Sequence, residues 1–296
     1  MVRRAFWALA GVACLVAPLT VQAQGDYLDV YIAKVRPEKM ADARAITKKM
    51  VDANRHYNGD RWIGMETMYG EGDTIVFVST RQDYAAVDKA NEAFMGALNK
   101  AYGKDRATKL LSDWESCLAG SRTEFRKRRW DLSRKAPEAA SYGKFIGDSR
   151  VLRTIAIHVR PGHVADFEAL LKDAKVAGDQ AANTQPLLVS QVMEGSKGTT
   201  FYVSALRASL GGFDKNPTLP EILGEEGYKR FLQVNAESVE STESALYRFS
   251  PELSNPPEEV MAAAPDFWQP KPVIAASTAK SKAATVQPAA QKTKEQ

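Results

Sequence analysis

The segment Ile32–Ile46, with sequence IAKVRPEKMADARAI, is echoed later in the chain by Ala156–Leu170, with sequence AIHVRPGHVADFEAL. In both copies an apolar run ends at a proline, Pro37 or Pro161, which fixes φ and cannot donate a hydrogen bond to a neighbouring strand. After each proline, apolar residues recur at helical spacing. The two segments therefore predict the same strand-to-helix unit twice, and this internal repeat decides the fold.

The similarity continues beyond these two segments. The glycine-containing turns at Gly70–Asp73 and Gly195–Gly198 each separate two apolar strands, so each copy also contains a hairpin. Such a βαββαβ unit leaves one face of its sheet in need of cover, and two copies can cover each other. The predicted fold class is α+β, with two tandem ferredoxin-like repeats packed sheet to sheet as an intrachain α+β barrel. We therefore expect a monomer or a weak homo-oligomer.

Changes in composition divide the chain into five parts. We predict a signal peptide over residues 1–24, a first repeat over 25–134, a linker over 135–149 and a second repeat over 150–254. The Pro/Ala/Lys-rich tail, residues 255–296, has few large apolar residues and is expected to be mostly disordered. Phe267 and Trp268 are the exception, and we expect them to dock on the body of the protein.

The first residues have the features of an export signal. Arg3 and Arg4 precede an apolar run that is broken by Pro18, and a small-x-small motif follows. This predicts a periplasmic or secreted protein with no stable membrane span after cleavage. Removal of Cys14 with the signal leaves Cys117 as the remaining cysteine, which predicts no internal disulfide. Cys117 falls on the apolar face of a helix and is interpreted as a buried small hydrophobe.

Composition limits the partners. The chain has 296 residues, 44% of them hydrophobic, and a formal charge of only +4, which gives no general attraction to nucleic acid. The basic run Arg122–Arg129 lies on a predicted strand, where alternate residues point to opposite faces. We interpret it as a solvated edge strand whose charges prevent pairing with another chain, with binding of an anion or an envelope partner as the alternative.

The element order and the repeat together resemble the dimeric α+β barrel superfamily, over about residues 26–254. Its families include antibiotic-biosynthesis monooxygenase-like, chlorite dismutase-like haem and NIPSNAP-like proteins. The resemblance implies a ligand cavity, either between sheet and helices or between the two sheets. It implies a fold more directly than an activity, because unrelated functions share such folds.

Strand alternation identifies candidate residues for that cavity. Lys34 and His158 occupy matching positions in the two repeats, and Glu66 aligns with Gln191. Together with Trp62 they are our ligand-binding candidates, as polar or aromatic groups in an apolar chamber. The alternative is that they lie at strand ends in water.

No diagnostic catalytic or metal-binding motif is present in the sequence. Of the three histidines, His56, His158 and His163, only His158 has a route to a cavity, where it could ligate haem. We expect no cofactor by default. The sequence predicts an exported protein that binds a small, largely apolar ligand without catalysis. The alternatives are a cofactor-independent monooxygenase or haem-handling enzyme, and an envelope interaction protein that uses its C-terminal tail.

Overall fold

The computed structural model describes residues 25–269. The predicted signal peptide and the tail from residue 270 onward lie outside the described residues. The strands are β1 (Tyr27–Val35), β2 (Ile63–Tyr69), β3 (Thr74–Arg81), β4 (Leu118–Arg128), β5 (Val151–Val159), β6 (Leu188–Glu194), β7 (Thr199–Arg207) and β8 (Val239–Phe249). The helices are α1 (Met40–His56), α2 (Ala85–Tyr102), α3 (Lys104–Ser116), α4 (Ala139–Gly147), α5 (Val164–Gln180), α6 (Leu219–Ser238), α7 (Glu258–Ala263) and α8 (Pro265–Trp268).

All eight strands join in one closed barrel, in the order β1-β3-β2-β8-β5-β7-β6-β4. Strands β1 to β4 form the first unit and β5 to β8 the second, and each unit has the ferredoxin-like strand order 4-1-3-2. The units join edge to edge through antiparallel pairing of β2 with β8 and of β4 with β6. The predicted fold class is confirmed, and hydrogen bonding along both seams closes the barrel within a single chain.

The proline segments form the predicted strand-to-helix transitions. Pro37 begins a short 3₁₀ turn over Pro37–Lys39 that leads into α1, and Pro161 is followed by Gly162 at φ 86° ahead of α5. A positive φ at this turn suits glycine, which has no Cβ to clash. The predicted hairpins of β2 with β3 and of β6 with β7 are both present.

Apolar side chains fill three regions. Inward-facing residues of both units meet in the barrel lumen, and the helices of each unit cover the outer face of its own four strands. In the first unit this outer layer contains Trp114 and Cys117, with Cys117 only 2% exposed. The interpretation of Cys117 as a buried small hydrophobe is confirmed.

One end of the barrel is closed by parts of the predicted linker and tail. The linker contains α4, and the first residues of the tail form α7 and α8, which pack near α4. Trp268 is fully buried, and its indole Nε1 donates a hydrogen bond to the Gly147 carbonyl oxygen at 3.0 Å. The Phe267 ring lies 3.9 Å from the Arg150 guanidinium. The expectation that Phe267 and Trp268 dock on the body is confirmed, and order extends further into the tail than its composition indicated.

The interpretation of Arg122–Arg129 as a solvated edge strand is wrong. Strand β4 pairs with β1 on one side and with β6 on the other, so it has no free edge. Arg126 and Arg128 point into the lumen and are 7% and 8% exposed. Burial is tolerated because Arg126 pairs with Glu124 and Arg128 lies over the Tyr142 ring.

Candidate functional site

The five predicted ligand-binding residues do not share one chamber. Lys34 and His158 lie toward one rim of the barrel, where Lys34 pairs with Glu71 and the His158 Nδ1 lies 3.0 Å from the Thr200 hydroxyl oxygen. Neither lines a described cavity. This outcome corresponds to the alternative in which these residues lie at strand ends.

The other three candidates lie on the outer face of the barrel, under the helices. Glu66 accepts a hydrogen bond from Arg44 of α1 at 2.8 Å, and Gln191 accepts one from Arg129 at 2.8 Å. Met65, next to Glu66 on β2, and Ser190, next to Gln191 on β6, line the lumen, so alternation places Glu66 and Gln191 on the opposite strand face. The described cavities therefore do not bring the five candidates together, because the inward face of each strand is set by pairing with distant strands. Their role in binding a ligand stays a prediction. Among the five, Trp62 lines two of the described cavities, the smaller one in the lumen and a cleft under the helices.

The barrel lumen holds two neighbouring cavities of about 120 and 300 Å³. Arg126 lines both of them. The Arg126 guanidinium is 2.7 Å from a Glu124 carboxylate oxygen and stacks 3.4 Å from the centre of the Tyr202 ring. Tyr202 in turn donates a hydrogen bond to Glu124 at 3.2 Å. These polar groups satisfy one another, and the rest of the lining of the smaller cavity is largely apolar.

A separate cleft of about 320 Å³ lies between the outer face of the first unit and helices α1, α2 and α3. Strands β1 and β3 form its floor, and the three helices form its walls. It is lined by Asp29, Tyr31, Thr47, Met50, Asp60, Trp62, Phe77, Ser79, Arg81, Asn91, Phe94, Leu111 and Trp114. Its volume lies at the lower end of the range for small-molecule sites, which is about 300–1,000 Å³.

Five aromatic rings dominate the cleft lining. The Phe77 ring centre lies 6.0 Å from that of Trp114 and 6.2 Å from that of Tyr31. On the other wall the Trp62 and Phe94 rings meet edge to face at 5.9 Å. The two tryptophan N–H groups are already used, by the Leu253 carbonyl and, at 3.4 Å, by the Tyr31 hydroxyl. The rings therefore present mainly flat apolar faces and edges to a ligand.

One end of the cleft is charged. The buried Arg81 guanidinium makes two parallel hydrogen bonds to the Asp60 carboxylate, at 2.9 and 2.8 Å, and a longer one to Asp29 at 3.3 Å. Two carboxylates thus face one cation. Burial raises the pKa of Asp29 above its usual 3.8, opposed by Arg81 and reinforced by the nearby charge of Asp60. Asp29 is the less tightly paired acid and is the group suited to exchanging a proton or accepting a hydrogen bond.

Thr47 supplies a further polar atom. Its side chain on α1 is 2% exposed, and within residues 25–269 its hydroxyl oxygen has no hydrogen-bond partner. A buried hydroxyl without a partner costs free energy, and a ligand recovers this cost when the side chains that cover the oxygen shift. The cleft therefore combines an aromatic lining with a hydroxyl and an acid able to fix a ligand's orientation.

The described residues do not fit a haem held by histidine in either cavity. His158 lies at the barrel rim beside the Thr200 hydroxyl. His163, just before α5, lies beside Asp166 in the first turn of that helix, and His56 lies at the end of α1 against the Tyr57 ring. None lines the lumen or the cleft. In residues 25–269 no group of three or more His, Cys, Asp and Glu side chains is arranged to hold a metal ion. No helix in that part of the chain is long and apolar enough to span a membrane.

Sequence reasoning missed Asp29, Thr47, Asp60 and Arg81. The strand residues do carry a signal in the sequence, because Asp29 shares a strand face with Tyr31 on β1, and Arg81 shares one with Phe77 on β3. Polar and aromatic residues on the helix-covered face of two neighbouring strands indicate a lined cleft. Thr47 carries no comparable signal, because a threonine in a helix is ordinary.

These features define an α+β barrel protein with one aromatic cleft beneath the helices of its first unit. No protein-family model and no curated protein matches the chain. Among solved structures it is similar to an anthrone oxidase-like protein, with 13% identity over 78% of this chain and 94% of that chain and a TM-score of 0.49. It is also similar to a monooxygenase-like protein from Lactobacillus acidophilus NCFM (11% identity, 75% and 93% coverage, TM-score 0.44). A mutant chlorite dismutase from Candidatus Nitrospira defluvii is similar at 12% identity, 81% and 97% coverage and a TM-score of 0.42. At these identities the similarity concerns the fold alone.

Proposed function

We propose that this protein binds a small, largely aromatic or apolar molecule with a hydrogen-bonding group in the cleft of its first unit. The observation that carries the proposal is the convergence of five aromatic rings, the buried Thr47 hydroxyl and the Asp29 carboxyl on one space of about 320 Å³. Apolar lining with a few placed polar groups is the usual composition of a small-molecule site. The features of residues 1–24 support action after export, in the periplasm or outside the cell.

The polar groups indicate which ligand fits. The Asp29 carboxylate accepts a hydrogen bond, and the Thr47 hydroxyl donates or accepts one. The pair Arg81 and Asp60 carries no net charge, so Asp29, when ionised, leaves the polar end negative. This favours a neutral ligand with a hydroxyl or amine donor over an anionic one.

The binding test uses a matched pair of substitutions on α2. Asn91 is exposed and lines the cleft, whereas its neighbour Glu92 is exposed and does not. Asn91→Trp places a large side chain at the opening, and Glu92→Trp makes the same change outside the cleft. We expect 2-naphthol, an aromatic alcohol, to raise the unfolding temperature of the wild type and of Glu92→Trp by linkage. Asn91→Trp should lose this response.

The hydroxyl contact has its own test. Thr47→Val keeps the shape of the side chain and removes the oxygen. It should weaken binding of 2-naphthol, measured by titration calorimetry, and leave binding of naphthalene nearly unchanged. Native mass spectrometry of the protein from its own host identifies a retained ligand. Binding that survives in Asn91→Trp at wild-type strength would place the ligand elsewhere and contradict the proposal.

A second candidate function is favoured by Asp29. Its raised pKa and its position among aromatic rings suit a base that removes a proton from a bound hydroxyaromatic molecule, as a cofactor-independent oxygenase requires. Asp29→Asn keeps the size of the side chain and one oxygen that can accept the hydrogen bond from Arg81, and it removes the base. Oxygen consumption by the wild type with hydroxyaromatic compounds, lost in Asp29→Asn with binding retained, supports the enzyme. No consumption in the wild type leaves binding as the function.

A further inference from the structure

The two units carry equivalent buried arginines in opposite electrostatic surroundings. Arg81 ends β3 and pairs in register with Tyr27, the first residue of β1, and Arg207 ends β7 and pairs with Val151, the first residue of β5. The two arginines are 7% and 5% exposed. They therefore occupy corresponding places on the helix-covered face of their sheets.

The groups around Arg81 in the first unit have identifiable counterparts in the second. Asp29 of β1 pairs with Ser79, two positions before Arg81. In the same way Arg153 of β5 pairs with Ala205, two positions before Arg207. A carboxylate in the first unit thus corresponds to an exposed arginine in the second.

The same correspondence holds at the isolated bridges that precede β2 and β6. Trp62 bridges to Asn255, and Leu187 bridges to Arg134. The residue two positions before each bridge is Asp60 in the first unit and Gln185 in the second. The Asn255 amide donates a hydrogen bond to the Asp60 carbonyl oxygen at 2.7 Å, and the Arg134 guanidinium donates to the Gln185 carbonyl oxygen at 3.3 Å. The correspondence therefore rests on equivalent hydrogen bonds as well as on register.

The second unit therefore has no acidic counterparts of Asp29 and Asp60, the two residues that neutralise Arg81 in the first unit. Within residues 25–269 neither Arg134 nor Arg207 forms an ion pair within 4.0 Å. The Nη1 of Arg207 donates to two backbone carbonyls, while its Nε and Nη2 are buried without a hydrogen-bond partner in that range. Burial, with a contribution from the charge of Arg134, lowers the pKa of Arg207. Arg207 is thus a buried cation without a counterion in this part of the chain, and the neighbouring Arg134 feels the charge of Asp179 but forms no ion pair with it within 4.0 Å. An anion would relieve this unfavourable arrangement.

We propose that Arg134 and Arg207 form a binding site for a small oxyanion, a carboxylate or a phosphate group, in the position that the Asp60 carboxylate takes in the first unit. The Nε and Nη2 atoms of Arg207 form one edge of its guanidinium, and such an edge binds two oxygens of a carboxylate or phosphate side by side. Arg153, exposed on the flank, adds a charge that attracts anions from solvent.

The segment that follows β7 covers this site. Gly212 lies against the side chain of Arg207, and the Phe213 ring centre is 5.6 Å from its guanidinium carbon. The Asn216 side chain accepts a hydrogen bond from the Gln185 backbone N–H at 3.2 Å. Because Nε and Nη2 of Arg207 have no exposed surface, an anion reaches them when this segment shifts.

The test measures anion binding to the chain without its signal peptide. Inorganic phosphate and acetate are titrated at constant ionic strength, with chloride as the balancing anion, and unfolding temperature and calorimetry are recorded. We expect a saturable rise in unfolding temperature with one site per chain. Arg207→Gln should weaken the affinity by at least about ten-fold, because it removes the charge and the two-point contact. Arg230→Gln, which removes an exposed arginine of the same unit, should leave the affinity unchanged.

A second variant keeps the proposal testable if Arg207→Gln does not fold. Gln185→Glu introduces a carboxylate at the position equivalent to Asp60. We expect it to raise the unfolding temperature in chloride alone and to abolish the response to phosphate and acetate. The proposal is overturned if the wild type shows no saturable response, if Arg207→Gln responds like the wild type, or if Gln185→Glu leaves the response intact.

Discussion

Replacement of Trp268 by alanine tests whether the cap formed by α4, α7 and α8 is part of the cooperative structure of the barrel. The Trp268 side chain is fully buried, with its ring centre 5.9 Å from that of Phe249. Truncation of such a ring costs about 3–5 kcal/mol through lost burial and the cavity that remains. Its hydrogen bond to the Gly147 carbonyl oxygen contributes about 1 kcal/mol. For a domain of this size we therefore expect Trp268→Ala to lower the unfolding temperature by about 10–20 °C.

Thermal and urea unfolding followed by far-ultraviolet circular dichroism measure this change. Trp268→Phe keeps most of the ring packing and loses the hydrogen bond, so it should cost about 1–2 kcal/mol. Tyr69 is 69% exposed, and Tyr69→Ala should change the free energy of unfolding by no more than about 0.5 kcal/mol. If Trp268→Ala costs no more than Tyr69→Ala, the cap unfolds independently and the reasoning is refuted.

Three further predictions concern the barrel. Residues 25–134 expressed alone should dimerise or aggregate, because the pairing edges of β2 and β4 lose their partners, and a soluble monomer by light scattering would contradict this. Gly195→Ala should lower the free energy of unfolding by more than about 2 kcal/mol, since φ is +93° and a Cβ would lie 2.1 Å from a carbonyl oxygen of β4. Gly198→Ala, at φ +68° in open space, should lower it by only about 1 kcal/mol in the same urea titration. The hydrogen bond from Arg129 holds the pKa of Glu168 below its usual 4.5. The stabilisation by ionised Glu168 is therefore present above pH 4.5 and is lost as the pH falls through the lowered pKa of the folded state. Glu168→Gln should remove this part of the acid dependence, and an unchanged pH profile would show that the pair contributes nothing.

Local chemistry explains the parts of the fold that were predictable. The strand predicted before Pro37 is β1, and the hairpins predicted at the two glycine-containing turns are β2 with β3 and β6 with β7. Such features depend on residues that are close together in the chain: apolar periodicity, the fixed φ of proline and the freedom of glycine. The repeated order of elements then limited the architecture to two similar units.

The candidate site was not predictable to the same degree. Glu66 and Gln191 were correctly aligned with each other, yet both face the helices and not the lumen. The cleft draws its lining from strands and helices far apart in the chain, and Thr47 belongs to it only because α1 crosses β1 and β3 at that point. A pattern of alternation shows which residues share a face, but it does not show which face is inside.

The sequence by itself determined that the chain contains two βαββαβ units, where most of their strands and helices lie, and that Trp268 would be drawn to the body of the protein. Only the tertiary structure decided that β4 has no free edge, that Arg126 enters the lumen, and that Arg81 and Arg207 end equivalent strands with and without acidic partners. The physical reason is that secondary structure follows from interactions along the chain, whereas burial and charge pairing follow from which distant strands form hydrogen bonds across the two seams of the barrel.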